Sequence, residues 1–511
     1  MPALPATPDL RHLKLQAKSL LRSAQNGDES ARMRIVDASS HPVDQPALSD
    51  ALHTIAAEYG FGSWPQLKVH VEMTDKDFSE KLRAFMDSAW TWGDRAKART
   101  ILDSAPEIPL ADIHAACAAG DVLAVTDFLS VDARSATKSG GSRGWSPILQ
   151  ATWSCFMPER QESLVKIVSL LLESGADPDS YWTNESGIKE TALYGAVEQN
   201  CVQVARVLVD AGANPNDDES LYHACEKFNL DLLDVLAING LDSDTLSYCV
   251  KHVMDFMWDD GIRWFLDHGA DPNVLHPAAN ETSLHWAVKR GCSLRAVQWL
   301  LEAGADPNAR TMDRRSAFIG LIGWTPLDFA LRLGLKTTAN LLLLHGAVPT
   351  EQSDYDRYVI ACANGDREAA IKLGRTNTGG VAEEDGALIA HVAQMQSWSG
   401  VRLMVERGWN VEAVGWMGAT PLYWALCFGD PDTVSFLLQN GASTNPVGGY
   451  FQHPLHTVVH CHWDREGSDY EGALLCLLEH GLAIPDGFYP CGHASMDAIL
   501  SRYMEKYPEP H

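Results

Sequence analysis

Two helical patterns alternate along most of this chain. The first is a short block that opens on Thr and continues with apolar residues, as in TSLHWAVKRG (282–291), TPLDFALRLG (325–334) and TPLYWALCFGD (420–430). The second is a run with apolar residues at helical spacing, as in VQVARVLVD (202–210) and LRAVQWLLE (294–302). Because residues three and four apart share one face of a helix, both patterns predict amphipathic helices.

A third phrase, rich in Gly and Asp, closes each unit, as in ESGADPDSYW (173–182), DHGADPNVL (267–275) and EAGADPNAR (302–310). Its glycine is expected in the left-handed conformation that ends a helix. The Thr that opens the first block is expected to cap the helix that follows. The order is therefore turn, short helix, longer helix and Gly-ended loop, with a period of about 33 residues.

This pattern resembles the ankyrin repeat family, whose units combine a TPLHxAA block, an apolar VVxLLL block and a GADxN turn. The resemblance implies an all-α ankyrin-repeat solenoid of about eleven helix-turn-helix units with helical caps at both ends. The units near residues 246, 358 and 388 are degenerate: they lack the repeat motif, and only their spacing from the neighbouring units places them. The inner helices are predicted to start near Ile113, Ile148, Leu193, Leu221, Leu246, Leu284, Leu327, Tyr358, Leu388, Leu422 and Leu455.

The segment before the repeats has a pattern of its own. LRHLKLQAKSLLRSAQNGD (10–28) predicts an amphipathic helix, and the phrase from Tyr59 to His70 resembles a leader found ahead of ankyrin arrays in bacterial proteins. That resemblance suggests a bacterial source. Because the end repeats of an array need a polar outer face, we predict three regions: a helical cap over 1–90, the repeat array over 91–490 and a capping helix over 491–511.

Composition narrows the classes of partner. Apolar residues make up 46% of the chain and charged residues 21%, which is typical of a folded protein. The net charge of −27 argues against nucleic acid and anionic membranes, because phosphates would be repelled. No apolar run reaches the ~18 residues of a membrane-spanning helix, and no secretory signal is recognised. The 11 scattered cysteines indicate free thiols in a reducing compartment, and we predict a cytoplasmic protein.

Proteins of the ankyrin class bind partners on a concave surface, which is built from the finger turns and the ends of the inner helices. Trp, Tyr and Arg are also the residue types that dominate binding hot spots. The residues predicted to contact a protein partner are Arg143, Trp145, Trp153, Trp182, Lys227, Lys289, Arg290, Trp324, Arg332, Trp416, Phe428 and Tyr450.

Cations concentrate at the inner-helix ends in the middle of the array. A basic strip on an otherwise acidic molecule would steer a partner with an acidic or anionic surface into the groove. The alternative is that these residues are solvated helix ends whose stems cover apolar neighbours. The strip is predicted to consist of Lys227, Lys251, His252, Lys289, Arg290 and Arg332.

Two functional hypotheses remain open. The first is a protein–protein interaction scaffold that acts sterically, as an inhibitor, immunity factor or adaptor. The second is an enzyme or small-molecule-binding protein that uses an aromatic and charged pocket on the concave face. The sequence contains no P-loop, GxGxxG, GxSxG or HExxH motif, which favours the absence of catalysis. Under the second hypothesis the acid–base candidates are Glu198, Glu226, His252, His285 and His460.

A cluster of four histidines lies near the end of the array: His453, His456, His460 and His462. His456 and His460 are four residues apart and therefore share a helix face, where they could hold a divalent metal ion. The alternative is structural, because His456 and His285 occupy the position of a histidine that belongs to the ankyrin pattern itself. No cofactor is predicted, and a metal ion enters only under the second hypothesis.

Overall fold

The computed structural model of this protein describes residues 4–5, 8–39, 43, 45–277, 279–311, 323–375, 381–444, 453–461, 467–485 and 488–507. The chain divides into two compact units, Met1–Asp242 and Ser243–His511. Both units are built from short helices that follow one another as antiparallel pairs. Within the described residues, no helix combines the length and apolar character needed to cross a membrane.

The first unit contains fourteen described helices and one two-stranded hairpin. In the hairpin, β1 (Tyr181–Thr183) runs antiparallel to β2 (Lys189–Thr191), with Trp182 opposite Glu190. Short 3-10 helices span Ile108–Leu110 and Ala133–Thr137. The helices are α1 (Leu10–Gln25), α2 (Glu29–Ala38), α3 (Leu48–Glu58), α4 (Trp64–Thr74), α5 (Phe78–Ser88), α6 (Arg95–Ser104), α7 (Ile113–Ala119), α8 (Val122–Val131), α9 (Pro147–Thr152), α10 (Met157–Glu173), α11 (Ala192–Glu198), α12 (Val202–Asp210), α13 (Ser220–Ala224) and α14 (Leu230–Leu236).

Two apolar cores lie in the first half of this unit. Helices α1 to α4 enclose one core, which includes Leu13, Ile35 and Leu67. Helices α5 and α6 share a second core with the first two repeats, and the Phe85 and Phe156 rings lie 6.2 Å apart in it. The boundary between the two apolar cores therefore lies near residue 73, and α5 packs with the repeats. The predicted boundaries at residues 90 and 490 stay predictions.

The second unit continues the same pairing of helices. Its 3-10 helices span Glu383–Asp385 and Trp416–Gly418. The α-helices are α15 (Ser243–Asp255), α16 (Asp259–Asp267), α17 (Ser283–Arg290), α18 (Leu294–Glu302), α19 (Pro326–Arg332), α20 (Lys336–Leu344), α21 (Asp354–Ala363), α22 (Arg367–Gly374), α23 (Leu388–Gln394), α24 (Trp398–Glu406), α25 (Pro421–Cys427), α26 (Pro431–Gln439), α27 (Pro454–His460), α28 (Tyr470–Glu479) and α29 (Ala494–Lys506).

Eleven inner and outer helix pairs, from α7/α8 to α27/α28, lie in the described part of the chain, and each predicted start falls inside the first helix of a pair. The local causes are those expected from the sequence. The hydroxyls of Thr325 and Thr420 accept the backbone N–H groups of Asp328 and Tyr423 at 3.3 Å and 3.2 Å, which caps these helices. Proline occupies the first turn at Pro326, where no backbone N–H is needed.

Candidate binding surfaces

Five tryptophan rings meet in the first unit. We call this group the tryptophan cluster: Trp90, Trp92, Trp145, Trp153 and Trp182. Trp182 lies at its centre, with ring centroids 5.1–6.3 Å from the other four. Trp90 and Trp92 lie in the loop after α5, and Trp182 lies in β1 of the hairpin. Trp145 precedes α9, and Trp153 follows its last residue. The Arg143 guanidinium lies 4.5 Å from the Trp90 centroid, so this predicted contact residue also joins the cluster.

Burial divides the cluster into a base and an open face. Trp153 is 0% exposed, and its indole Nε1 donates to the Thr191 carbonyl at 3.0 Å. Trp145 is also buried, whereas 47% of Trp92 is exposed. The prediction that Trp153 contacts a partner is therefore wrong, because its ring is enclosed by protein on every side. The open face is presented mainly by Trp92, beside the half-buried Trp182.

Carboxylates border this open face. Glu198 accepts from the indole Nε1 of Trp92 at 3.4 Å and pairs with Lys227 Nζ at 2.8 Å. On α13, the next inner helix, His223 lies between Glu226 and Glu219, at 3.0 Å and 3.2 Å. Burial acts to lower the pKa of His223, but its hydrogen bond to Glu226 and the surrounding carboxylates raise it overall. The acid–base candidates Glu198 and Glu226 thus already have partners, Lys227 and His223.

Three cations of the predicted basic strip form internal ion pairs in the second unit. Lys289 pairs with Glu281, and both side chains are buried. Arg290 Nε lies 2.5 Å from an Asp255 carboxylate oxygen. Arg332 pairs with Asp385 at 2.5 Å and also with Asp356. These contacts neutralise the cations, so the prediction of an exposed basic strip is wrong, and the reason for expecting an acidic partner is removed.

Lys251, another member of the predicted strip, lies in the protein interior. It is 1% exposed, and its Nζ donates to the Ser247 carbonyl at 2.6 Å. Burial lowers the pKa of Lys251 to about 8, with the nearby charge of Asp271 acting in the opposite direction. The neighbouring His252 is also largely covered, with Nδ1 3.7 Å from an Asp255 oxygen. Neither residue is placed to meet a partner.

Replacing Lys251 by methionine is expected to stabilise the protein at neutral pH. The pKa of Lys251 falls from 10.5 to about 8 on folding, so the charged side chain destabilises the folded state by up to about 3 kcal/mol below pH 8. Between pH 8 and 10.5 the unfolded chain binds the extra proton, so the stability of the parent protein rises with pH. Urea unfolding at pH 7 and pH 10 should show a gain from Lys251→Met that shrinks at the higher pH; an equal gain at both would contradict the assignment.

Trp324 and Arg332 lie together, with the guanidinium carbon 4.4 Å from the indole centroid. His285, predicted both as an acid–base candidate and as a structural residue, has the structural role. It is buried, its Nδ1 lies 2.8 Å from the Thr282 hydroxyl, and its Nε2 lies 3.0 Å from the Trp324 carbonyl oxygen. Burial lowers the pKa of His285. Both ring nitrogens are engaged, so His285 is not available for proton transfer.

Three further predicted contact residues meet in a cavity of about 130 Å³, which we call the aromatic pocket. Arg290 closes one side, with its guanidinium carbon 4.2 Å from the Trp416 centroid. Trp424 is nearly parallel to Trp416, at 6.3 Å and 7°, and Phe428 lies 6.1 Å beyond Trp424. The residues that line the pocket are Asp255, Met257, Arg290, Gly291, Leu335, Gln394, Met395, Gln396, Trp416, Trp424 and Phe428.

Three rings of the histidine cluster are neighbours, and one pair of them is stacked. The His456 and His460 rings lie 5.8 Å apart at 5°, and the His453 and His456 centroids are 6.1 Å apart. His456 and His460 are exposed at the surface of α27. In the part of the chain that the structure describes, no group of three His, Cys, Asp or Glu side chains is placed to hold a metal ion. The predicted residues Tyr450 and His462 lie outside the described residues.

Sequence reasoning missed residues in both aromatic groups. Trp90 and Trp92 precede the recognised repeats, and the signal for them was a Trp-x-Trp pair in the loop that joins α5 to α6. Trp424 lies inside an inner helix, where a ring facing the pocket is indistinguishable in sequence from one facing the core. Asp255 belongs to a degenerate unit, whose motif gave no reason to pair it with Arg290.

Comparison with known proteins supports the repeat assignment. The family model described as ankyrin repeats (3 copies) matches residues 246–353 and 359–447, so ankyrin repeats are present in these segments. A search of curated proteins gives no match. One similar solved structure is the human ASB11 ankyrin repeat domain, which is 19% identical, has a TM-score of 0.35 and aligns with 47% of this chain and 99% of its own. Another is the ankyrin repeat domain of Bcl-3, which is 23% identical, has a TM-score of 0.35 and aligns with 45% of this chain and 98% of its own.

The predicted all-α ankyrin fold is confirmed by the repeat match and the helical architecture. The bacterial source suggested by the leader phrase stays a prediction. Ankyrin repeats generally bind protein partners, and this property supports an interaction scaffold as the coarse functional class.

Proposed function

We propose that this protein is a protein–protein interaction scaffold that holds its partner against the open face of the tryptophan cluster. The observation that carries the proposal is the 47% exposure of Trp92 on a base of packed indole rings. A large aromatic side chain held rigidly by its neighbours loses little conformational entropy when a partner covers it. The scaffold would act sterically, as an adaptor or inhibitor that retains or covers its partner.

The charges around the cluster favour a partner with cationic side chains. The surroundings hold three carboxylates, Glu198, Glu219 and Glu226, and two cations, Lys227 beside Glu198 and Arg143 on the Trp90 ring. His223 is shared between Glu219 and Glu226. An arginine or lysine of the partner would meet these carboxylates and also the face of the exposed indole, where cation–π contact adds to the attraction. We retain the cytoplasm as the proposed compartment, because the eleven cysteines carry thiols rather than disulfides and nine of them are buried.

Replacing Trp92 by alanine is expected to weaken partner binding by about 30-fold, the size of a typical hot-spot loss. The partner would first be captured from a lysate of the source organism with the full chain as bait and identified by mass spectrometry. Its affinity for the parent protein and for Trp92→Ala would then be measured by calorimetry. Folding should be unaffected, because nearly half of the Trp92 side chain already faces solvent.

A matched control is Trp299→Ala, which removes a half-buried tryptophan from the outer helix α18. This variant should bind the partner as the parent protein does. Glu198→Gln should weaken binding in a salt-dependent way, since it removes a carboxylate from the border of the open face. Equal affinities for Trp92→Ala and Trp299→Ala, or a partner that binds more tightly once Glu198 is neutralised, would contradict the proposal.

A further inference from the structure

Two cysteines of the second unit lie side by side at equivalent positions of successive repeats. Cys427 is the last residue of α25, and Cys461 directly follows the last residue of α27. They are 34 positions apart in the chain, about one repeat, and their Sγ atoms lie 3.0 Å apart. The sulfur atoms of a disulfide are about 2.05 Å apart, so an approach of roughly 1 Å would bring these two within bonding distance.

Hydrogen bonds fix the backbone on both sides of this contact. The Tyr470 hydroxyl donates to the Cys427 carbonyl at 3.2 Å, and Tyr470 itself is buried. The Cys461 backbone N–H donates to the Thr457 carbonyl at 2.9 Å, in the last turn of α27. The helices α25 and α27 also pack directly against each other. The short distance between the two sulfur atoms therefore results from the packing of adjacent repeats.

Both cysteines lie just beneath the protein surface. Cys427 is 9% exposed and Cys461 is 5% exposed, whereas His460, at the end of α27, is exposed. A small oxidant reaches such thiols far more easily than the cysteine of a second protein molecule does, since reactivity depends on access to the sulfur. A disulfide at this position should therefore form within one chain rather than between two chains.

We propose that Cys427 and Cys461 are a site of reversible oxidation, at which hydrogen peroxide converts the two thiols into a disulfide. Cys427, the more exposed of the two, reacts first: its sulfur attacks one peroxide oxygen, the O–O bond breaks, and a sulfenic acid and one water form. The Cys461 sulfur then attacks the sulfenic sulfur, the S–O bond breaks, and the second water leaves. The sulfur atoms lose two electrons to the peroxide, and both thiol protons end in the waters.

A reversible bond of this kind is compatible with a reducing compartment, where disulfides are transient and respond to oxidants. A small cellular thiol would restore both cysteines by thiol–disulfide exchange. While present, the bond would join α25 to the end of α27 and close a chain segment that includes α26. It would therefore fasten the last two helix pairs of the array to each other. This site is separate from the tryptophan cluster and does not depend on the proposed partner.

The test treats the reduced full-length protein with hydrogen peroxide, blocks the remaining thiols with N-ethylmaleimide and maps the products by mass spectrometry. Cleavage before aspartate separates the two cysteines into peptides 385–429 and 432–463. These peptides should be joined in monomeric protein, and dithiothreitol should release them. A pair that stays reduced while the partly exposed Cys476 and Cys491 are oxidised, or a linkage between two chains, would overturn the proposal.

Single substitutions separate the two chemical steps. Cys427→Ala should abolish the linkage. Cys461→Ala removes the thiol that attacks the sulfenic acid, so this acid should accumulate at Cys427 and be captured by dimedone. The control is Cys476→Ala on α28, which removes a more exposed thiol outside the pair and should leave the yield of joined peptides unchanged. Thermal melts establish that each variant is folded. No dimedone adduct at Cys427 in folded Cys461→Ala, or loss of the linkage in folded Cys476→Ala, would overturn the assignment.

The effect of the bond on the fold has its own measurement. Oxidation should raise the unfolding temperature of the parent protein by about 5 °C, because the bond restricts the unfolded chain. The increase should disappear in Cys427→Ala and after treatment with dithiothreitol. A linked protein that unfolds at or below the temperature of the reduced protein would overturn the inference that the bond fastens the two repeats.

Discussion

Replacing Glu281 by glutamine is expected to lower the free energy of unfolding by about 3–5 kcal/mol. Glu281 is 0% exposed and pairs with Lys289, whose own side chain is almost completely buried. Burial lowers the pKa of Lys289, and Glu281 acts against this effect by stabilising the charged form. Glutamine preserves the shape but not the charge, so a buried ammonium would lose the carboxylate opposite it. Urea unfolding followed by circular dichroism measures the change.

The matched control removes both charges. Glu281→Met combined with Lys289→Met replaces the pair by apolar side chains of similar length, and its stability should lie within about 1–2 kcal/mol of the parent or above it. The double variant should therefore be clearly more stable than Glu281→Gln alone. A double variant that is as unstable as the single one would show that the site depends on its polar contacts rather than on charge balance.

This pair illustrates what the repeat pattern could not reveal about the second unit. The pattern correctly places Lys289, Arg290 and Arg332 at the ends of inner helices. It says nothing about their partners, which are 8, 35 and 53 residues away in the chain. The carboxylates belong to a finger turn, to a degenerate unit and to a 3-10 helix, none of which has a fixed residue type in the motif. Charge at a groove position was visible in the sequence, whereas its neutralisation was not.

For the tryptophan cluster, in contrast, part of the arrangement could be predicted from the repeat pattern. Trp145 and Trp182 could be assigned to finger turns because those turns have a fixed distance from the helix that follows. Their mutual contact, with centroids 5.1 Å apart, follows from the stacking of adjacent fingers. Trp92 was missed because the preceding hairpin of α5 and α6 carries no repeat motif, although it packs as one. The exposed member of the cluster therefore lies in the short stretch between the predicted cap, which ends at residue 90, and the first recognised repeat.

The approach of Gly291, at the end of α17, to the Met395 side chain, at the end of α23, is a tertiary effect with no local signal. The glycine that ends α17, with φ of 70°, is expected at a helix end whatever lies opposite it. The methionine is an ordinary flexible side chain. Eleven helix starts could be derived from spacing because each depends on a few neighbouring residues. The approach of two units three repeats apart depends on how every intervening pair packs, and a motif does not encode that.

Replacing Trp153 by alanine is expected to lower the free energy of unfolding by about 3–5 kcal/mol. The ring fills the base of the tryptophan cluster, contacting Trp92 at 5.0 Å and Tyr194 at 5.3 Å between ring centroids. Alanine would leave a cavity there and would remove the indole donor from the Thr191 carbonyl. Trp153→Phe keeps part of the volume but not the donor, so its loss of stability should be intermediate.

In contrast, Trp92→Ala should change the free energy of unfolding by less than about 1 kcal/mol. Urea unfolding of the three variants tests this order, and a loss for Trp92→Ala as large as that for Trp153→Ala would mean that the exposed ring belongs to the core and that the proposed binding face is structural.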